Sequence, residues 1–139
     1  LAVDDVEINR KLLKGQLEQQ SWRTFLAGNG QEALDILYSE KIDLVLMDIH
    51  MPVMDGIETT RRIREMPEYD DMKIIGSCAI LSTEMREKCL AAGMNTVVEK
   101  PLDMSKLSTS IAHLFPDIQG SSYQTQVVND NEFIAMNIV

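Results

Sequence analysis

The chain has 139 residues, 45% of them hydrophobic and 25% charged, with a formal charge of −9. That length and composition suit one compact domain with a core of its own, and the acidic balance argues against direct nucleic-acid binding, because no basic stripe is present to neutralise phosphates. Its two cysteines, in a chain without a signal-like segment, point to reduced thiols in a cytosolic setting with no disulfide, and no apolar run approaches membrane-spanning length.

Leu1-Ala2-Val3 followed by Asp4-Asp5 reads as the tail of a buried strand with no starting methionine, so a segment of a longer polypeptide is expected. From Val6 to Gln20, Ile8, Leu12, Leu13 and Leu17 recur at helical spacing, with Glu7, Arg10, Lys14 and Glu18 on the other face. Trp22 to Leu26 is a short β-prone run, and Asn29-Gly30-Gln31-Glu32 resembles a capping box that opens a helix with Ala33, Leu34 and Leu37 inward. Leu44 to Met47 is a run of large apolar residues ending abruptly in Asp48, before a turn through Pro52 and Asp55-Gly56. Asp55 and Glu58 form a cap pair for the next helix, along which Ile57 and Ile63 can face a sheet and which stops before Pro67; a polar loop over Glu68 to Met72 follows. Ile74 to Ala79 reads as a fourth strand, Thr83 to Ala92 as a helix closed by Gly93, and Thr96 to Glu99 as a fifth strand leading into Lys100-Pro101. Asp103 caps a last helix carrying Leu107, Ile111 and Leu114 on one face until Pro116.

This alternation predicts an α/β fold with right-handed crossovers, a parallel sheet and helices on both faces. Residues 117–139, rich in Asp, Asn, Gln and Ser, read as a C-terminal tail or linker, leaving 1–116 as the domain. In such a sheet ligands bind in the crevice beyond the strand ends. Asp4 and Asp5 follow the first strand, Asp48 ends the third, Cys78 lies near the end of the fourth and Lys100 follows the fifth. Carboxylates converging there repel one another and raise at least one pKa unless a divalent cation offsets them. An oxygen-rich, thiolate-free cluster suits Mg2+, which binds phosphate oxygens readily, and Lys100 suits a phosphoryl oxygen. One carboxylate then becomes a candidate nucleophile for a phosphoryl group.

These residues carry a resemblance. Val3-Asp4-Asp5, Met47-Asp48, Met51-Pro52-Val53-Met54-Asp55-Gly56, Ala91-Ala92-Gly93 and Lys100-Pro101 together resemble the response-regulator receiver domains of two-component signalling, over Leu1 to about Phe115. The resemblance implies a flavodoxin-like, doubly wound sheet in the order 2-1-3-4-5. It implies Asp48 as phosphoacceptor, Asp4 and Asp5 with Asp48 and the backbone carbonyl of His50 as Mg2+ ligands, Lys100 as the phosphate-contacting lysine, and a cis Lys100-Pro101 peptide. The implied donor is a phosphohistidine on a histidine kinase or histidine phosphotransfer domain. The wording of Glu7-Ile8-Asn9-Arg10 and Arg86 to Met94 points to the receiver module of a hybrid sensor histidine kinase, cytoplasmic or the cytoplasmic part of a membrane-bound sensor. A homodimer is left open, and no membrane contact by this domain is expected.

Two positions depart from the family. Cys78 stands where the family has Thr or Ser, and Val97 where it has an aromatic, so both halves of the hydroxyl-to-aromatic switch are altered. A thiol keeps roughly the size of a hydroxyl but donates a weaker hydrogen bond. Three function classes follow: a phosphorylatable receiver, a pseudo-receiver binding module whose switch depends less on phosphate, and a Mg2+-dependent phosphatase on a related sheet. The last is disfavoured because His50, not aspartate, stands two residues after Asp48. The partner surface is expected on the fourth helix, fifth strand and fifth helix, above Cys78 and Val97.

Overall fold

The computed structural model describes residues 1–115; the expected tail over 117–139 lies outside the described residues. Strands β1 (Ala2–Val3), β2 (Leu26–Ala27), β3 (Leu44–Asp48), β4 (Lys73–Cys78) and β5 (Thr96–Glu99) alternate with helices α1 (Glu7–Gln19), α2 (Gly30–Ser39), α3 (Gly56–Arg64), α4 (Thr83–Ala92) and α5 (Met104–Leu114). The strands pair in parallel in the order β2-β1-β3-β4-β5. The chain therefore has the flavodoxin-like doubly wound fold. The order reverses at β1, so β1 and β3, which carry the acids, are neighbours.

Side-chain alternation along β3 divides the core. Leu44 and Leu46 pack with Leu13, Leu17, Leu107 and Ile111 on the α1/α5 side, whereas Val45 and Met47 pack with Leu34, Leu37, Ile63 and Cys89 on the other. All five residues of β3 are buried. A strand covered on both faces is continuously apolar, and the one acid that interrupts the run stands at its end.

The helix starts are set by side-chain caps. Asn29, Asp55, Ser82 and Asp103 each accept a hydrogen bond from the backbone N–H three residues on, at 2.8–3.0 Å. Glu32 reaches back to the Gly28 N–H at 2.7 Å, one residue before the cap, so the Asn29 half of the capping box expected for α2 forms while the Glu32 half is shifted by one residue. α4 ends as expected, with Gly93 at φ 119°.

Three local expectations are corrected. Ile8 and Leu12 of α1 are each 60% exposed, while Leu13 and Leu17 alone of that set are buried. Spacing permitted two adjacent stripes on α1, and only one reaches the sheet. The second strand begins at Leu26 rather than Trp22: Ser21 turns the chain at φ 66° and Trp22 drops into the α1/α5 core at 5% exposure. The expected polar loop after α3 is partly ordered, with a 3-10 turn over Pro67–Tyr69.

Candidate functional site

The C-terminal ends of β1, β3 and β5 bring Asp4, Asp5, Asp48 and Lys100 together. One carboxylate oxygen from each of Asp4, Asp5 and Asp48 lies within 4.8 Å of the others. Lys100 Nζ stands 3.2 Å from Asp4 Oδ2 and 3.2 Å from Asp48 Oδ1. Asp4 and Asp48 are buried, whereas Asp5 is exposed at the rim. The Lys100-Pro101 peptide is cis, as the resemblance implied.

Backbone bonds fix this geometry from below. The Ile49 N–H donates to the Ser77 carbonyl at 2.9 Å, the Gly56 N–H to the Ile49 carbonyl at 2.8 Å, and the Lys100 N–H to the Cys78 carbonyl at 2.7 Å. Gly56 is required by close approach: a Cβ there would lie 2.3 Å from the Asp48 carbonyl oxygen. The first turn of α3 thus rests directly on the end of the strand that presents Asp48. Between them the chain makes a tight turn at Val53, with φ 70° and the Met54 N–H donating to the Pro52 carbonyl at 2.7 Å.

Electrostatics follow from the count of charges. Asp48 is held above the ordinary carboxylate pKa first by burial and then by Asp4 and Asp5, against the pull of Lys100. Burial opposes the charge on Lys100, but Asp48 and Asp4 outweigh it and hold the ammonium above its ordinary value. Three carboxylates therefore share one cation. This set of hard oxygen donors, short of positive charge, fits Mg2+ in number and chemistry.

The remaining candidates occupy distinct places. His50 is exposed at the crevice mouth, two residues beyond Asp48. Cys78 is fully buried and its Sγ donates to the Ile80 carbonyl at 3.4 Å, while burial, then Glu99 and Asp48, push the thiol pKa up. Val97 is 3% exposed within the α2/α3/α4 core, and its side chain has no ring to swing. Ser77, one position from Cys78, is in register with Asp48.

Sequence reasoning missed several supporting contacts. Asp4 Oδ1 accepts the Val6 N–H at 2.9 Å and Arg10 donates to the Asp4 carbonyl at 2.7 Å, so an arginine assigned to the outer face of α1 holds the acidic loop instead. Glu99 Oε2 accepts the Leu81 N–H at 2.9 Å. Ile8 and Leu12, with Val6 at 43% exposure, leave an apolar strip on α1. Asn9, Leu12, Pro101 and Leu102 line the hollow between that strip and Lys100.

A parallel sheet in this order, with an acidic cluster and a lysine at its C-terminal edge, defines a receiver-type α/β domain. The model of the response regulator receiver domain matches residues 1–112, and the chain belongs to that family. It is 37% identical over 112 residues to the sensor histidine kinase RcsC of Salmonella typhimurium, covering 81% of this chain and 12% of that protein. It is 33% identical over 128 residues to the signal transduction histidine-protein kinase BarA of Escherichia coli, covering 92% of this chain and 14% of that protein. The chain thus spans only a small part of the length of these relatives. Among solved structures, the chemotaxis protein CheY4 of Vibrio cholerae is similar at TM-score 0.77 and 26% identity, over 81% of this chain and 94% of that one. A chain in the co-crystal structure of the Saccharomyces cerevisiae histidine phosphotransfer protein Ypd1 with the receiver domain of the response regulator Ssk1 is similar at TM-score 0.76 and 29% identity, over 81% of this chain and 85% of that one. The chain is a receiver domain of two-component signal transduction.

Proposed function

We propose that Asp48 takes a phosphoryl group from a phosphohistidine on a histidine kinase or histidine phosphotransfer domain, within a hybrid histidine kinase at the cytoplasmic side. The observation that carries this reading is a buried carboxylate at a strand end, 3.2 Å from an ammonium and clustered with two further acids. A carboxylate oxygen of Asp48 attacks phosphorus, the P–N bond breaks with its electron pair returning to the imidazole, and the ring takes up a proton. Asp4, Asp5, Asp48 and the His50 carbonyl are the residues to hold Mg2+, which supplies charge for the transferring oxygens when bound. Lys100, held charged by its two carboxylate neighbours, supplies the other positive group. The co-crystal of Ypd1 with the Ssk1 receiver supports a histidine phosphotransfer partner. The domain is read as 1–116, followed by a tail over 117–139. Among the described residues no helix is long and apolar enough to cross a membrane.

The test is labelling of the chain with acetyl phosphate. Label is expected with Mg2+, lost with EDTA, and lost in Asp48→Asn; acid-stable label persisting in Asp48→Asn would remove the assignment. A second reading, an interaction module with weakened phosphate-dependent switching, is favoured by the burial of Cys78 and Val97 at the two altered switch positions. Labelling at Asp48 with no response anywhere in α4 or β5 would select it.

A further inference from the structure

The segment joining β4 to α4 must respond to the crevice if the α4 surface is to carry a signal, and neither Cys78 nor Val97 is equipped to drive it. The Cys78 thiol is already engaged with the Ile80 carbonyl, and Val97 is packed among buried side chains. A different connection is present. Glu99 is an acid at the end of a strand, one residue before Lys100 and beside an already acidic crevice. Its carboxylate reaches across 18 residues of sequence to accept the Leu81 N–H at 2.9 Å. Leu81 immediately precedes Ser82, whose Oγ caps α4 by accepting the Met85 N–H at 3.0 Å. Cys78 is the ladder partner of Glu99, and its carbonyl accepts the Lys100 N–H at 2.7 Å. Arg86 adds a contact in the opposite sense, from α4 to the Val97 carbonyl at 3.5 Å.

We propose that Glu99 is a positioning residue that couples Lys100 to the start of α4 by holding the Leu81 N–H. The inference rests on Asp48 being the phosphoacceptor. When a phosphoryl group on Asp48 draws the Lys100 ammonium away from Asp4, the backbone of Glu99 moves with its neighbour, and the charge-assisted bond to Leu81 carries that displacement into the first turn of α4. The route is short: one ion pair of 3.2 Å, one peptide unit, one hydrogen bond of 2.9 Å, and the cap of a helix. It needs neither a hydroxyl at position 78 nor an aromatic at position 97.

The test reads two quantities in the full chain. Mg2+-dependent labelling by acetyl phosphate reports the acceptor, and amide chemical-shift changes on adding beryllofluoride with Mg2+ report the response of residues 81–86. Glu99→Ala and Glu99→Ser, two variants without reach, are expected to label within about twofold of the native chain while the shift changes over 81–86 fall by half or more. Glu99→Gln keeps an acceptor oxygen at the same reach and is expected to restore most of the response, which a merely structural loss would not do. Full shift changes over 81–86 in whichever of the Ala and Ser variants folds would overturn the coupling while leaving Asp48 as acceptor. Absence of label in the native chain would instead overturn the acceptor, and the coupling with it.

Discussion

Two cations at opposite ends of the sheet show different uses of a half-buried charge. Arg64, at the last turn of α3, donates to the carbonyls of Gly93 (2.9 Å), Tyr69 (2.6 Å), Asp70 (3.4 Å) and Met72 (2.7 Å) and to Asn95 Oδ1 (3.1 Å). Burial works against its charge, yet every arm of the guanidinium meets a neutral acceptor, and Asn95 passes the connection on to the Ile74 N–H at 2.8 Å. Lys100 faces two carboxylates at 3.2 Å with a third close by. The Arg64 corner is saturated: each guanidinium nitrogen donates to a neutral acceptor. The Lys100 crevice is short of positive charge, and an excess of carboxylates of this kind favours a cation.

The sharpest way to break the comparison is at Gly93. Its φ of 119° is open to glycine and strained for other residues, and a Cβ there would stand 2.5 Å from Arg64 Cγ. Gly93→Ala is therefore expected to lower stability by about 2–4 kcal/mol, combining backbone strain with displacement of the arginine. Urea denaturation measures it. A loss under about 1 kcal/mol would mean that the Arg64 corner gives way easily and is not the rigid end.

At the other end the expected change is a gain. Mg2+ at about one hundred times its dissociation constant should stabilise the native chain by about 2.7 kcal/mol, and Asp48→Asn should lose most of that. Without metal the Asp48 charge is a liability whose pH dependence has a definite sign. Its folded pKa is raised above the ordinary 3.8 of a free aspartate, so the folded state holds the proton more tightly than the unfolded chain does. The stability this contributes is full below 3.8 and is lost as pH rises through the folded value. In EDTA, Asp48→Asn is thus expected to be more stable than the native chain at pH 7, with the difference shrinking on acidification through that window. A difference that stays constant with pH in thermal melts would show that Asp48 carries no desolvated charge.

The same contrast explains what could be read from the sequence. Strand ends, caps and the acids after β1 and β3 are local signals: an apolar run that stops at an aspartate, or Asn29 and Asp55 three residues before Glu32 and Glu58, carries its meaning within a few residues. The Arg64 hub leaves no such trace, because its acceptors are mostly backbone carbonyls, which every residue has. Glu99 is hidden for the same reason, since its partner is the N–H of Leu81. For α1, periodicity marked four apolar positions but could not say that the stripe of Ile8 and Leu12 lies outside the sheet contact.

Val53 offers the smallest effect and isolates the strain in the acceptor loop. A β-branched residue at φ 70° is unfavourable, since its Cβ substituents crowd the backbone in the left-handed region. The side chain gains nothing in return from packing, being 83% exposed. Its neighbours hold the loop in place: Met54 is buried at 9%, and Asp55 caps α3 by accepting the Glu58 N–H at 2.8 Å. The backbone at 53 therefore cannot relax without disturbing both. The Met54 N–H to Pro52 carbonyl bond closes a γ-turn around Val53, a conformation that crowds any Cβ. Val53→Gly is therefore expected to stabilise the chain by about 0.5 kcal/mol, the relieved crowding exceeding the conformational freedom that glycine adds to the unfolded chain. Val53→Ala, which removes only the branch, should gain less. The urea midpoints should rise in the order native, Val53→Ala, Val53→Gly with the slope unchanged. A midpoint for Val53→Gly at or below the native value would show that the positive φ stores no strain, and that the crevice differs from the Arg64 corner in charge alone.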